Sequence, residues 1–333
     1  GSIAANKPYD QMAQERLAAQ GRDRPSRHYY ENNSQPGRIL SEEMRVFAGR
    51  RFDCAECHDH PFESWSQDQF WGLAAFFGNI DFIGPFEVIF DNPLGGYGDK
   101  GQSGLLKHPR RKTVVEPAFL DGTLLAKEHR LDPRLELARY VTSHPYFAES
   151  MANRMWGYFL GKGIVDPVDD FKDSNPPTHP ELLKALASEF RKSGHNLKQL
   201  IRTIVQSRTY QLASQPNSNN RYDQINYSHF IPKPLEAEVL LDAISQVTGI
   251  PEIFKGSPTS ERGQPPLGTR AVQLKSPVRY FSLFLDLYGR PMRYTVDERD
   301  TSPSIAQALH VYAGDTYTTK LNTEGGRLDP LLQ

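Results

Sequence analysis

Two cysteines are all that this 333-residue sequence contains, so a disulfide scaffold is excluded. Methionine and tryptophan are scarce as well, at 5 and 3 residues. No stretch of eighteen consecutive apolar residues occurs, so no membrane span is expected. Neither sign of charge dominates. The 39 Lys and Arg nearly cancel the 40 Asp and Glu, for a net charge of -1, and nothing favours nucleic acid or an anionic membrane surface as a partner. A mean hydropathy of -0.59 describes a polar chain, yet one long enough to bury a substantial core and to hold two domains. With Gly and Pro at 25 each, many connecting loops between short elements are expected. Gly1-Ser2 reads as a cloning remnant with no signal peptide after it, so a longer precursor is expected.

What is present gathers around one stretch, Arg51-Phe52-Asp53-Cys54-Ala55-Glu56-Cys57-His58-Asp59-His60-Pro61. Both cysteines fall there, three apart, with His58 directly after the second. C-x-x-C-H is the attachment signature of a c-type haem. Two thiols on one tight turn each bond a vinyl edge of the porphyrin, and the next residue lies beneath the iron as proximal ligand. His60 is too close in sequence to reach the opposite face. It is a candidate for a propionate hydrogen bond, for the pocket lining, or for a turn cap. The distal candidates are Met44, first by proximity, then Met151 and Met155, each also readable as core methionine. Covalent haem attachment implies the periplasm or secretion, and a redox partner protein.

Other chemistries fit the same residues. Cys54, Cys57, His58 and His60 would supply two thiolates and two imidazoles to a zinc ion, although four ligands within seven residues is cramped. The cysteine pair would also serve as a redox disulfide, or as two buried structural thiols. Elsewhere, the adjacent Asp169 and Asp170 are candidates for an acid–base pair or metal ligands, and also for plain capping. Arg154 and Trp156 are placed to brace their loop, or to serve as an ion-pair partner and a core residue. His179 reads chiefly as a helix-start residue. Gly95–Gly98 and Gly101–Gly104 lack the strand and helix that a phosphate loop requires.

The expected fold is mainly α, with a loop-rich N-terminal region around the cysteine motif, a few short strands and a multi-helical C-terminal region. The texture changes near residue 125, dividing the chain into 3–125 and 126–333. Helices are expected over residues 7–20, from Ser41 as cap to Ala48, and over Asp68–Phe77 behind Ser66 or Asp68. Beyond them come Pro133 to about Thr142, Pro145–Leu160, and a helix opened by a Thr178–Glu181 capping box. Leu197–Val205, Pro234–Val247 (Leu235, Val239, Leu240, Ala243 and Ile244 inward), Pro277–Leu287 and Ser302–Tyr312 complete the series. Phe86–Phe90 and Thr113–Glu116 are the strand candidates.

Several phrases resemble a known family. Cys54-Ala55-Glu56-Cys57-His58-Asp59-His60-Pro61-Phe62, with Trp65, Asp68 and Phe70, is similar to the end of the DUF1549 region of planctomycete cytochrome-like proteins. Asn153–Trp156, Gly161–Val165, Pro167–Phe171, Asn175–Leu183, Ser207–Gln211 and Gly289–Pro291 resemble the paired DUF1553 region. The resemblance implies a secreted or periplasmic bacterial protein, often joined to a separate cytochrome c domain. It implies no reaction. Where many relatives carry Cys-x-Cys-Glu-Arg, this chain has Thr295-Val296-Asp297-Glu298-Arg299, so a thiol site there is missing or rebuilt on Asp297. Three functions stay open: a haem electron carrier, a non-redox enzyme on carbohydrate or sulfated glycan using Asp169, Asp170 and His179, and a zinc- or disulfide-stabilised structural module.

Overall fold

The computed structural model describes residues 2–21, 26, 29, 35–61, 63–83, 88–91, 106–256, 265–274, 280–291 and 302–327. The chain is mainly α, as the apolar periodicity implies. It forms two compact units, residues 1–232 and 233–333. The first unit runs well past the change of texture at residue 125, because helices on either side of that point pack together in one core.

In the first unit, α1 spans Tyr9–Leu17 and α2 spans Pro36–Ala48. The expected start of α2 at Ser41 is corrected. Pro36 occupies its first turn, where a preset φ and a missing N–H cost nothing. Ser41 lies inside the helix and is buried, and Glu43 ion-pairs with Arg16 of α1 at 3.0 Å rather than serving the helix start. Ser66 caps α3, Gln67–Ala74, in a reciprocal capping box with Gln69, and a 3-10 turn carries the chain on to Phe77. β1, Ile80–Ile83, pairs antiparallel with β2, Val88–Asp91. Of the other expected strand, Val114 makes a single bridge to Lys107.

α4 (Pro133–Ser143) and α5 (Pro145–Leu160) each open on a proline, and α5 closes on Gly161 at φ 86°. α6 spans Pro180–Lys192, and α7 spans Leu197–Val205 behind an Asn196 cap. The Thr178–Glu181 capping box does not form. Thr178 instead gives its hydroxyl and its N–H to the Ile164 carbonyl, and His179 makes no capping hydrogen bond. Phe147 of α5 and Phe190 of α6 are fully buried, each contributing about 1.5–3 kcal/mol by leaving water. The Tyr9 ring stacks on Phe147 at 4.9 Å and ties α1 into this core.

His195 lies in the turn between α6 and α7 at φ 54°, its ring edge-on to Phe147 and Phe190 and its Nδ1 3.5 Å from Asp10. Burial holds its imidazolium below the ordinary range, against the opposing pull of Asp10. The unfolded chain takes that proton near pH 6.5 while the native state resists it. Stability is therefore expected to fall as pH drops below about 6.5, by at most about 1.4 kcal/mol per pH unit for this one proton. Urea unfolding at pH 7.5 and 5.5 measures the loss. His195→Asn, which tolerates the left-handed backbone, is expected to shrink it.

The second unit holds α8 (Ala237–Thr248), α9 (Leu283–Leu287), α10 (Ile305–Ala313) and α11 (Asp315–Asn322), with β3 (Lys255–Gly256) paired to β4 (Tyr280–Phe281). Its core gathers Ala237, Leu241, Phe254, Ala271, Phe284 and Leu285. The expected inward stripe of α8 holds in part: Leu240 and Ile244 pack against this core, whereas Leu235 and Val239 are exposed and Ala237, Glu238 and Leu241 are buried. Ser304 and Gln307 form a capping box that starts α10. Its Ile305, Leu309 and Val311 face outward, and His310 is the buried side chain. Only Leu283–Leu287 of the expected Pro277–Leu287 helix is helical among the described residues. The glycine-rich loops at 95–98 and 101–104, Phe62, Phe86, Glu87, and Thr295–Arg299 lie outside them.

Candidate functional site

The cysteine motif forms a turn clamped from three sides. Gly49 ends α2 at φ 64°, a left-handed position where a Cβ would press on Ser150 and Phe171 at 2.9 and 3.0 Å. The chain then turns into Arg50 and Arg51 and enters a 3-10 turn over Asp53–Glu56. Phe52 and Ala55 are fully buried and root the turn in the core. Cys54, Cys57 and His58 are exposed, and both thiols are free. The pattern behind this is local: small or apolar residues at 52 and 55 go inward, and the polar positions between them go outward.

From α2, Arg45 meets Asp53 at 2.9 Å. From α3, the Trp71 indole N–H and the Gln67 amide both donate to the Glu56 carbonyl, at 3.1 and 2.9 Å, and Gln67 N–H donates to the Asp59 carboxylate at 2.7 Å. From the loop after α5, Asp169 accepts two hydrogen bonds from Arg51, at 2.6 and 3.2 Å, in a bidentate fork. Phe171 N–H donates to the Gly49 carbonyl, Arg50 donates to the Phe171 carbonyl, and Asp173 N–H donates to Glu63. The Arg50 guanidinium also lies 3.6 Å over the Tyr146 ring, at the edge of the aromatic pair Phe52–Trp65.

The histidine ring is anchored by a neighbouring carbonyl. His58 Nδ1 lies 2.7 Å from the Asp59 carbonyl oxygen. A carbonyl only accepts, so Nδ1 is the donor in this contact. Metal-ligating histidines are held in this way, the ring nitrogen away from the metal donating to an acceptor. The residues at the turn thus fit covalent haem: two open thiols at the right spacing and an exposed imidazole with a free nitrogen.

The other candidates separate. His60 is tied through its backbone, its N–H donating to the Trp65 carbonyl at 2.8 Å. Among the described residues, no three of His, Cys, Asp and Glu are grouped to hold a metal ion, so Cys54, Cys57, His58 and His60 do not converge into a tetrahedral set. Met44 shares the inner face of α2 with Leu40 and Phe47 and is buried in the core, so its sulfur is not presented on the surface where His58 stands. Met151 is buried there too, and Met155 packs against the same core. Asp169 is engaged by Arg51, and Asp170 pairs with Lys172 at 2.7 Å. Arg154 donates to the carbonyls of Arg45 and Val46, closing the last turn of α2, and Trp156 is buried. His179 is half-buried at the start of α6, its Nδ1 3.1 Å from the Thr178 hydroxyl.

From the sequence, Arg50 and Gln67 were not singled out as parts of the site, Arg51 only as the first residue of the cysteine stretch, and Trp71 only on an aromatic helix suited to a porphyrin edge. The doubled arginine just ahead of Phe52 was the available signal for the two arginines. For the others no local signal exists, because their partner is a backbone carbonyl.

A mainly α protein of two compact units, displaying a rigid C-x-x-C-H turn on the first, is the class that fold and site define. The chain belongs to the DUF1553 family (PSD1), described as a protein of unknown function, whose family model matches residues 133–329. A second family model, PSCyt2, also described as a protein of unknown function (DUF1549), matches residues 1–82, which include the cysteine turn. No curated protein and no solved structure matches the chain.

Proposed function

We propose that this chain is a c-type haem protein of electron transfer or haem redox chemistry, with Cys54 and Cys57 as thioether donors and His58 as proximal ligand. The observation that carries the reading is the His58 ring: Nδ1–H is spent on the Asp59 carbonyl, and Nε2 stays open one residue beyond two exposed thiols. A haem so attached supplies one-electron chemistry at its iron. The chain contributes a fixed turn. Arg51–Asp169 and Trp71–Glu56 hold the turn from either side. Exposure of both thiols suits thioether formation by attachment machinery, and that chemistry would put the mature protein in the periplasm or outside the cell. It also leaves that face open to a redox partner, either a separate protein or a cytochrome domain of a longer chain.

The test is expression alongside haem-maturation machinery, followed by denaturing extraction and a pyridine haemochrome spectrum. Haem that stays with the polypeptide through extraction is the expected result. Colourless, fully folded protein from that host overturns the reading.

A further inference from the structure

A groove of about 460 Å³ opens beside the clamp, between α5, α6 and the loop 171–177. Its floor and walls include Phe171, Pro176, Pro177 and Leu183, and its polar edges are Arg50, Glu149, Asp173 and Lys184. Arg50 is a rigid cation: it stacks on Tyr146 and gives one amino group to the Phe171 carbonyl. Its Nε is buried without a partner, and no carboxylate stands within ion-pair distance of it among the described residues. Burial pulls the guanidinium below its ordinary range, although Glu149, Glu63 and Asp173 oppose that pull from further away. Across the groove Glu149 is half-buried, and burial raises its carboxyl against the opposing charges of Arg50, Arg191 and Lys184. The cation and the carboxyl feel each other yet do not touch. Lys172, by contrast, is already neutralised by Asp170.

A desolvated guanidinium without a counter-ion is unfavourable unless something else supplies one, and the groove leaves room for it. We propose that this groove binds a small polyhydroxylated carboxylate, its carboxylate on the open amino group of Arg50 and a hydroxyl donated to Glu149. Lys184 and Asp173 at the rim are a further donor and acceptor for such a ligand, and the proline and phenylalanine walls cover its C–H faces. The volume lies within the range of small-molecule sites. This site does not depend on haem and takes a different ligand from the cysteine turn.

Amide resonances of residues 171–173 in the isotope-labelled full chain, followed during titration, are the readout. Gluconate is the probe, with acetate and sorbitol as its halves. Gluconate is expected to saturate at about millimolar concentration, acetate about fivefold more weakly, and sorbitol not at all. Arg50→Gln is expected to weaken gluconate about tenfold, and Glu149→Gln to bring it within about twofold of acetate. Should Arg50→Gln fail to fold, Lys184→Ala, at an exposed position, is expected to weaken gluconate about threefold. No saturable shift with gluconate overturns the proposal, as does sorbitol binding equally well, or affinity unchanged in both Glu149→Gln and Lys184→Ala.

Discussion

Replacing both Cys54 and Cys57 by alanine is expected to abolish covalent haem completely while leaving the fold intact. Each single substitution is expected to leave one thioether and a haemochrome band displaced from that of the doubly attached pigment. The folding half of this expectation rests on exposure. Both thiols are free, and neither side chain is buried in the core. Surface substitutions of that kind change stability by about 0.5 kcal/mol or less. The comparison belongs in haem-free material, because a bound ligand adds its own stabilisation to the native state. Retained haem after denaturing extraction of the double variant sinks the assignment. Collapse of the haem-free fold would instead mark the thiols as structural.

Arg51→Gln is expected to be the most destabilising single change among the polar contacts that clamp the turn. Asp169 is 4% exposed, and its described partner is the Arg51 fork. Removing one member of a buried pair leaves the other charge desolvated, at a cost of about 3–5 kcal/mol. The Arg51 side chain is 43% exposed, so water recovers part of that, and about 1.5–3 kcal/mol is the expected loss. For a unit of this size the melting temperature should drop about 2–4 °C for each kcal/mol. Asp169→Asn keeps the volume and removes the stranded charge, so it is expected to cost less. Hydrogen exchange gives the local readout: amides at 50–57 and 169–173 should exchange faster, with α6 unchanged. An unaltered melting temperature and unaltered exchange would show that the clamp does not hold the turn.

Much of the helical framework was legible because its punctuation is local. Pro145 and Gly161 bracket α5, and Asn196 opens α7, so both follow the expected spans. Proline presets the helical φ, and glycine relieves the left-handed closing residue, whatever surrounds them. Ser41 and Thr178 failed as starts for a related reason. Each is a good capping residue, but Pro36 and Pro180 already open those helices. The inward face of α8 was legible only in part, at Leu240 and Ile244, and that of α10 was not. Leu235, Val239, Ile305 and Leu309 are as apolar as the residues that are buried, and periodicity does not say which side receives a neighbour.

The candidate site divides in the same way. The spacing of Cys54, Cys57 and His58 is a property of five consecutive residues, and it needed no fold to be recognised. Whether Asp169 was a catalytic carboxylate or a brace depended on Arg51, 118 residues away. Local sequence alone sets turn geometry and helix ends, since these depend on steric and hydrogen-bonding preferences within a few residues. Which charges meet and which side chains lose water were decided only when the chain closed on itself. Those energies depend on groups that the folded backbone brings near.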